Sequence, residues 1–177
     1  MTGDVIEETR FIDCTFENCN FSEVNLKNCS WKDCQFIRCH ISNPEIQFSI
    51  MSNCDFTECH CMGINWSQLC CNPIGPVHTM KQCQCRYNSF SQMKLPRFDF
   101  SDNEIIDCTF TETDLTHASF KGCNLMNTEF MKSDLSGASF EDATGYNVDI
   151  MSCKLKKAVF SFPEAVYLLN SLGVIIR

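Results

Sequence analysis

A large apolar residue recurs at every fifth position along most of this chain. These central residues are Phe11, Phe16, Phe21, Leu26, Trp31, Phe36, Ile41, Ile46, Met51, Phe56, Cys61 and Trp66, then Cys85, Phe90, Leu95, Phe100, Ile105, Phe110, Leu115, Phe120, Leu125, Phe130, Leu135, Phe140, Ile150, Leu155 and Phe160, with only Gly145 failing. The residue two places earlier is usually cysteine or alanine, and we call it the inner small residue. A period of five fits neither an α-helix, which repeats at about 3.6, nor a half-buried strand, which repeats at 2. The pattern therefore predicts short units that stack into a solenoid.

Three pentads show the repeat most clearly: Cys-Asn-Leu-Met-Asn at 123–127, Ser-Asp-Leu-Ser-Gly at 133–137 and Ala-Ser-Phe-Glu-Asp at 138–142. The chain from about residue 9 to 160 resembles the pentapeptide-repeat family on these grounds. The resemblance implies an all-β solenoid, a right-handed quadrilateral β-helix in which four pentads form one coil. Residues twenty apart should then lie above one another at the strand spacing of about 4.8 Å.

This arrangement predicts vertical columns of like side chains. The expected columns are Phe16, Phe36 and Phe56; Phe100, Phe120, Phe140 and Phe160; Leu95, Leu115, Leu135 and Leu155; and, inside the coil, Cys14, Cys34 and Cys54.

The register shifts once, between Trp66 and Cys85, which are nineteen residues apart. Nineteen is three pentads plus four residues, or four pentads minus one, and only the first choice places both phenylalanine columns on the same side. We therefore expect a β-helix over residues 1–160, in segments of about 6–66 and 80–160, with a loop or bend at 67–79. Pro73, Gly75 and Pro76 supply turn-forming residues there.

Fifteen cysteines could indicate disulfides or zinc sites. Eleven are inner small residues and two, Cys61 and Cys85, are central. Side chains that point inward in parallel suit disulfide geometry poorly, and alternate residues of a coil wall do not converge on one ion. We expect buried free thiols, no metal and no cofactor. The lack of a signal peptide or a long apolar run favours a cytoplasmic protein that does not enter a membrane.

The repeat ends after Phe160 and a helix pattern follows. Ser161 and Glu164 are spaced as a capping box, Pro163 suits a first turn, and Gly173 suits a helix C-terminus. The tail, residues 161–177, has more apolar surface than an end cap needs, which favours a two-fold dimer. The residues expected to form it are Val166, Leu169, Leu172, Val174 and Ile176. This ending resembles that of the quinolone-resistance (Qnr), MfpA and microcin B immunity proteins, in which a similar tail joins two subunits.

The net charge of −8 is concentrated in residues 99–149, which contain only two bases, Lys121 and Lys132. The acids there, which form the expected partner-binding surface, are Asp99, Asp102, Glu104, Asp107, Glu112, Asp114, Glu129, Asp134, Glu141, Asp142 and Asp149. The segment spans about 12 Å of axis and has roughly 0.7 negative charge per Å, against about 0.6 for B-DNA. Such a surface either mimics DNA or keeps an apolar rod in solution.

Motifs for nucleotide binding or hydrolysis are absent from the sequence, and the four histidines are scattered, so we do not expect an enzyme. Bases are few and unclustered, which argues against direct nucleic-acid binding. The resemblance implies a dimeric DNA mimic that binds DNA gyrase or a related type II topoisomerase and protects it from quinolones or a peptide toxin. The alternative is a scaffold for another protein partner.

Overall fold

The computed structural model describes residues 5–71 and 77–174, and within them the chain forms short parallel strands. In chain order these are β1 (Arg10–Ile12), β2 (Thr15–Glu17), β3 (Asn20–Ser22), β4 (Ser30–Lys32), β5 (Gln35–Ile37), β6 (His40–Ser42), β7 (Ile50–Ser52), β8 (Cys54–Thr57), β9 (His60–Met62), β10 (Cys70–Cys71), β11 (Val77–Lys81), β12 (Gln84–Arg86), β13 (Glu104–Ile106), β14 (Thr109–Thr111), β15 (Asn124–Met131), β16 (Ser139–Phe140), β17 (Thr144–Val148) and β18 (Val159–Phe160). Two 3₁₀ helices, Trp66–Gln68 and Glu164–Leu172, complete the secondary structure of these residues.

The strands make up four sides of a solenoid with about seven turns. Side 1 holds β1, β4, β7 and β10, and side 2 holds β2, β5, β8, β11, β16 and β18. Side 3 holds β3, β6, β9, β12, β13 and the first residues of β15 and β17. Side 4 begins with single bridges, such as Asn25 to Glu45, and continues with β14 and the last residues of β15 and β17. The large central side chains fill the space between the four sides.

The phenylalanine columns predicted from the period are confirmed. Phe100 and Phe120 stack with their ring centroids 5.0 Å apart, and Phe140 and Phe160 stack at 4.8 Å. The earlier column is equally regular, with 5.0 Å from Phe16 to Phe36 and 4.8 Å from Phe36 to Phe56. Rings of opposite sides, such as Phe110 of side 4 and Phe120 of side 2, meet edge to face, an arrangement that aromatic quadrupoles favour. The core is therefore a continuous stack of ordered layers.

Strand pairing shows where the four extra residues enter. Cys71 pairs with Met51, twenty residues earlier, whereas Met80 pairs with Phe56, twenty-four earlier. The later strands keep this offset, since Cys85 pairs with Cys61. The choice of three pentads plus four residues is thus confirmed, and the two phenylalanine columns share side 2. Cys70–Cys71 and Val77–Lys81 are paired strands of the wall, so the loop expected over 67–79 was too wide. Pro73, Gly75 and Pro76 lie outside the described residues, so a loop at these residues stays a prediction.

The last coil departs from the expected register. Ile150 was expected to continue the column of Phe130, but Val148 pairs with Phe130 instead. The chain reaches side 4 with two residues fewer and regains them before Lys154, which pairs with Asp134 twenty residues earlier. Tyr146 turns inward beside the failed position at Gly145, with its ring 5.4 Å from Phe140 and 5.6 Å from Phe160. The prediction for Ile150 was wrong because a period alone does not reveal that one aromatic ring can fill the core where sides 3 and 4 are joined by two fewer residues.

The inner small residues hold the corners together. The thiol of Cys123 donates to the carbonyl of Phe100 in the preceding coil, at 2.9 Å, and that of Cys59 donates to Phe36 at 3.3 Å. Thr113 and Ser133 make the same bond with hydroxyls, at 3.0 and 2.8 Å. A small side chain with a donor fits this place because the carbonyl is buried and needs a partner.

Most corners turn through a residue in the left-handed region, two places after the central residue. Asn18, Asn28 and Asp102 have φ values of 53°, 56° and 59°. Asparagine, aspartate and glycine tolerate this conformation better than other residues, which explains their frequency at the corners. Other residue types also occupy corners, and they include two exposed aromatic residues, Phe48 at φ 61° and Tyr87 at φ 56°.

The tail forms a helix, but not the capped one that the sequence predicted. The helix Glu164–Leu172 is of the 3₁₀ type, and the expected capping box does not form. The Ser161 hydroxyl instead accepts the N–H of Asp142, at 3.0 Å, and so ties the tail to the coil before it. The helix packs against β17, with Leu168 against the core, and Gly173 follows it at φ 68° as expected.

Replacing Phe120 by Asp tests the layered core. Phe120 is fully buried between the rings of Phe100 and Phe140, so the carboxylate would have no partner. We expect the free energy of unfolding to fall by about 3 to 5 kcal/mol, measured by denaturant titration. The matched control is Phe162→Asp, because Phe162 is 84% exposed and should tolerate the charge. Wild-type stability of the Phe120 variant would contradict the register.

Candidate partner-binding surface

The eleven predicted acids all lie on the outside of the wall, because the central and inner small positions alone face the core. They are spread over all four sides rather than over one. Asp114 and Asp134 lie on side 1; Asp99, Glu141 and the corner residues Asp102 and Asp142 on or next to side 2; Glu104 and the corner residue Asp107 on or next to side 3; and Glu129, Glu112 and Asp149 on or next to side 4.

Six of these acids lie on two coils, from side 2 to the corner beyond side 3, and Lys121 lies on the coil between them. This acidic edge consists of Asp99, Asp102, Glu104, Asp107, Glu141 and Asp142. Within the described part of the chain, none of the six forms an ion pair. Their contacts are with polar neutral groups: Asp107 accepts from the Asn127 amide at 3.0 Å, and Asp99 from the Ser101 N–H at 3.0 Å. The charge of the acidic edge is therefore not compensated by ion pairs, although the exposed Lys121 lies on the coil between Asp102 and Asp142.

Side 1 has the opposite character. The Asp134 carboxylate is 3.1 Å from Nζ of Lys154, and that of Glu112, at the adjoining corner, is 3.9 Å from Lys132. The Ser136 hydroxyl and then the Lys154 ammonium hold the pKa of Asp134 below its usual range. The other bases on this side and its second corner include Arg10, Lys32, Lys94, Arg97, Lys156 and Lys157. The rod is thus acidic on one edge and near neutral or basic on side 1.

Counting charges along the sequence did not reveal this sidedness. A count over residues 99–149 ends just before Lys154, Lys156 and Lys157, and it merges the four sides. Assigning each charge to its position within the twenty-residue coil would have separated Asp102 and Asp142 from Asp114 and Asp134. The five-residue period therefore contains the information needed to predict which sides are acidic.

The wall opens at one place beside the acidic edge. Residues 99–101 lie above β11 on side 2, yet among these described residues no backbone hydrogen bond joins the two levels. A groove of about 350 Å³ lies between them, lined by His78, Thr79, Lys81, Gln82, Asp99 and Asp102 among others. Phe98 occupies an inner small position here, with its ring 4.4 Å from Phe100, and its bulk accounts for the separation.

The tail places most of its predicted dimer residues in contact with solvent. Leu169, Leu172 and Val174 are exposed by 41%, 45% and 47%. Val166 is half-buried, and Ile176 lies outside the described residues. The tail helix packs against β17, which contains Tyr146. Burial and the nearby Glu164 carboxylate of this helix raise the pKa of the Tyr146 hydroxyl to about 12.

The thirteen cysteines for which the structure describes a state are free thiols. Burial raises the pKa of Cys54 to about 12, and burial likewise raises that of Cys123 to about 12, so both remain protonated at neutral pH. Over residues 5–71 and 77–174, no group of three or more histidine, cysteine, aspartate or glutamate side chains could hold a metal ion. In the same residues no helix is long and apolar enough to cross a membrane.

The chain belongs to the Pentapeptide repeats family, which matches in eight copies over residues 19–58, 89–122, 108–144 and 123–161. The fold is accordingly the right-handed quadrilateral β-helix that the resemblance implied. No curated protein sequence matches the chain.

Among solved structures, the chain is similar to trypsin-treated QnrB1, a plasmid-mediated fluoroquinolone resistance protein. The identity is 19%, the TM-score is 0.51, and the match covers 100% of this chain and 98% of the other. Full-length QnrB1 matches at 17% identity with a TM-score of 0.49, covering 98% and 97%. HetL from Nostoc sp. strain PCC 7120, a protein involved in heterocyst differentiation regulation, matches at 12% identity with a TM-score of 0.34, covering 90% and 86%. At these identities the likeness establishes the fold alone.

Amide hydrogen exchange tests the opening in the wall. Gln82 and Asp102 occupy equivalent corners one coil apart, but only Asp102 donates its N–H to the next coil, to Lys121 at 3.0 Å. We expect the Gln82 amide to exchange at least about tenfold faster than that of Asp102, because exchange of a bonded amide requires opening of the ladder. Replacing Phe98 by Ala should slow exchange at Gln82. Equal protection of both amides in the wild-type protein would contradict the opening.

Proposed function

We propose that this protein is a non-enzymatic, cytoplasmic DNA mimic that binds DNA gyrase or a related type II topoisomerase and protects it from quinolones or a gyrase-poisoning peptide. The observation that carries the proposal is the acidic edge, six outward carboxylates without ion pairs on a rigid rod. Family membership and the fold shared with QnrB1 support it.

The acidic edge suits a basic, DNA-binding protein surface. Its carboxylates sit on or beside stacked coils, whose backbones are fixed by the ladder, so binding would order few groups. Glu104 pairs in register with Asn124, and the corners at Asp102 and Asp142 have the same backbone conformation, separated by Gly122. Uncompensated charge of this kind also accelerates association with a basic partner. Side 1 would face away from the enzyme, because its lysines would be repelled.

We further propose that two copies join through the tail. The exposed Leu169, Leu172 and Val174 lie at one end of the rod, beyond the last coil. Pairing across a two-fold axis would cover them and would join the acidic halves into a stretch of about 25 Å. A symmetric enzyme would then meet a symmetric acidic surface.

Charge reversal on the acidic edge tests the function. The double variant Asp102→Lys, Asp142→Lys should lose gyrase protection at least about tenfold, measured as the protein concentration that restores supercoiling in the presence of a quinolone. The matched control is Asp13→Lys, Glu58→Lys, which makes the same charge change at two exposed left-handed corners outside residues 99–149. It should retain most of the protection.

Two results would overturn this proposal. If the wild-type protein changes neither drug tolerance nor supercoiling at any concentration, the scaffold alternative replaces it. If both double variants lose protection equally, net charge rather than the acidic edge is responsible. Circular dichroism of each variant establishes that the coils are folded before activity is compared.

Sedimentation at micromolar concentration tests the dimer. We expect the intact chain to sediment as a dimer and the variant Leu169→Glu, Leu172→Glu as a monomer, because two charges would face each other across the axis. Met151→Glu is the control, since Met151 is 74% exposed but lies outside the tail. A monomeric wild-type protein would remove the continuous central surface from the proposal.

A further inference from the structure

Two imidazoles share one outer column of the wall on side 3. His40 in β6 pairs in register with His60 in β9, and both side chains are exposed. Their backbones are fixed, because each histidine N–H donates to the coil below, to Cys19 and Cys39 respectively, at 2.9 Å. The ring centroids are 6.1 Å apart with an angle of 41° between the ring planes.

This separation matches that of two rings bound to one metal ion. With metal–nitrogen bonds of about 2.1 Å, two imidazoles on one ion have centroids about 5 Å apart at a tetrahedral angle and about 6.5 Å apart when they lie opposite each other. The observed distance falls between these limits, so rotation of the side chains suffices. No coil needs to move.

The other nitrogen and sulfur groups are less suited to bind such an ion. Nδ1 of His78 is 3.0 Å from the Asp55 carboxylate, and His117 lies at a corner with its ring over Gly137. The thiols of Cys54 and Cys123 remain protonated, as described above. The residues next to the pair in its column are Asn20 and Gln84, which are neutral and bring no repelling cation.

We propose that His40 and His60 form a surface site for a borderline divalent transition metal such as Ni²⁺, Cu²⁺ or Zn²⁺. Imidazole is a preferred ligand of all three ions. The two histidines supply two positions and water supplies the rest. The bound ion would link two successive coils of the N-terminal half, so it would stabilise the folded chain through binding. The site is independent of the proposed gyrase function.

The probe is Ni²⁺ added to the untagged full chain, with the melting temperature as the readout. At a free ion concentration about ten times the Kd, we expect the midpoint to rise by about 3 to 5 °C. The variants His40→Gln and His60→Gln should each abolish the rise. His117→Gln, which removes a single histidine at a corner, should leave it unchanged.

Paramagnetic broadening by Ni²⁺ in NMR spectra identifies the residues directly. The ring protons of His40 and His60 should broaden first, at ion concentrations that leave His117 sharp. An unchanged midpoint in the wild-type protein, or the same rise in His60→Gln, would overturn the proposal. The latter result would mean that the ion binds elsewhere.

Discussion

The parallel hydrogen-bond ladder between residues one coil apart determines the rest of this structure. Because each strand pairs in register with the next, every side chain lies directly above a counterpart, as Phe36 lies between Phe16 and Phe56. A side chain must therefore suit the ones above and below it, not merely be apolar. The stacked phenylalanines inside and the paired histidines outside both follow from this single constraint.

The corners impose a second demand, which the inner small residues meet. A backbone carbonyl is buried at each turn, and thiols, hydroxyls and the Asn103 amide all donate to it. Cysteine is common here because it is small, weakly polar and compatible with an apolar interior. The cysteine content is thus a property of the corners and is unconnected with disulfide bonds among the described residues.

The fold could be predicted from the sequence because its period is regular, and the predictions failed where the period does. Ile150 was misplaced because Tyr146 fills the core where the chain reaches side 4 two residues early. Ser161 was misassigned because its hydroxyl accepts the N–H of Asp142 in the preceding coil. Both outcomes depend on contacts between residues of different pentads, and the five-residue pattern gives no information about such contacts. The acidic surface was located along the chain, but its division between an acidic edge and side 1 required the assignment of each charge to a side.

The coil spacing also limits how faithfully such a rod can imitate a nucleic acid. Charges in one outer column can recur only at multiples of about 4.8 Å, as Asp102 and Asp142 do two coils apart, whereas phosphates along one DNA strand advance about 3.4 Å per base pair. The coil spacing and the rise per base pair coincide only about every 24 Å, after five coils or seven base pairs. A protein that responds to the average electrostatic field of DNA would bind the rod. A protein whose basic side chains each contact one phosphate would find carboxylates at the wrong spacing.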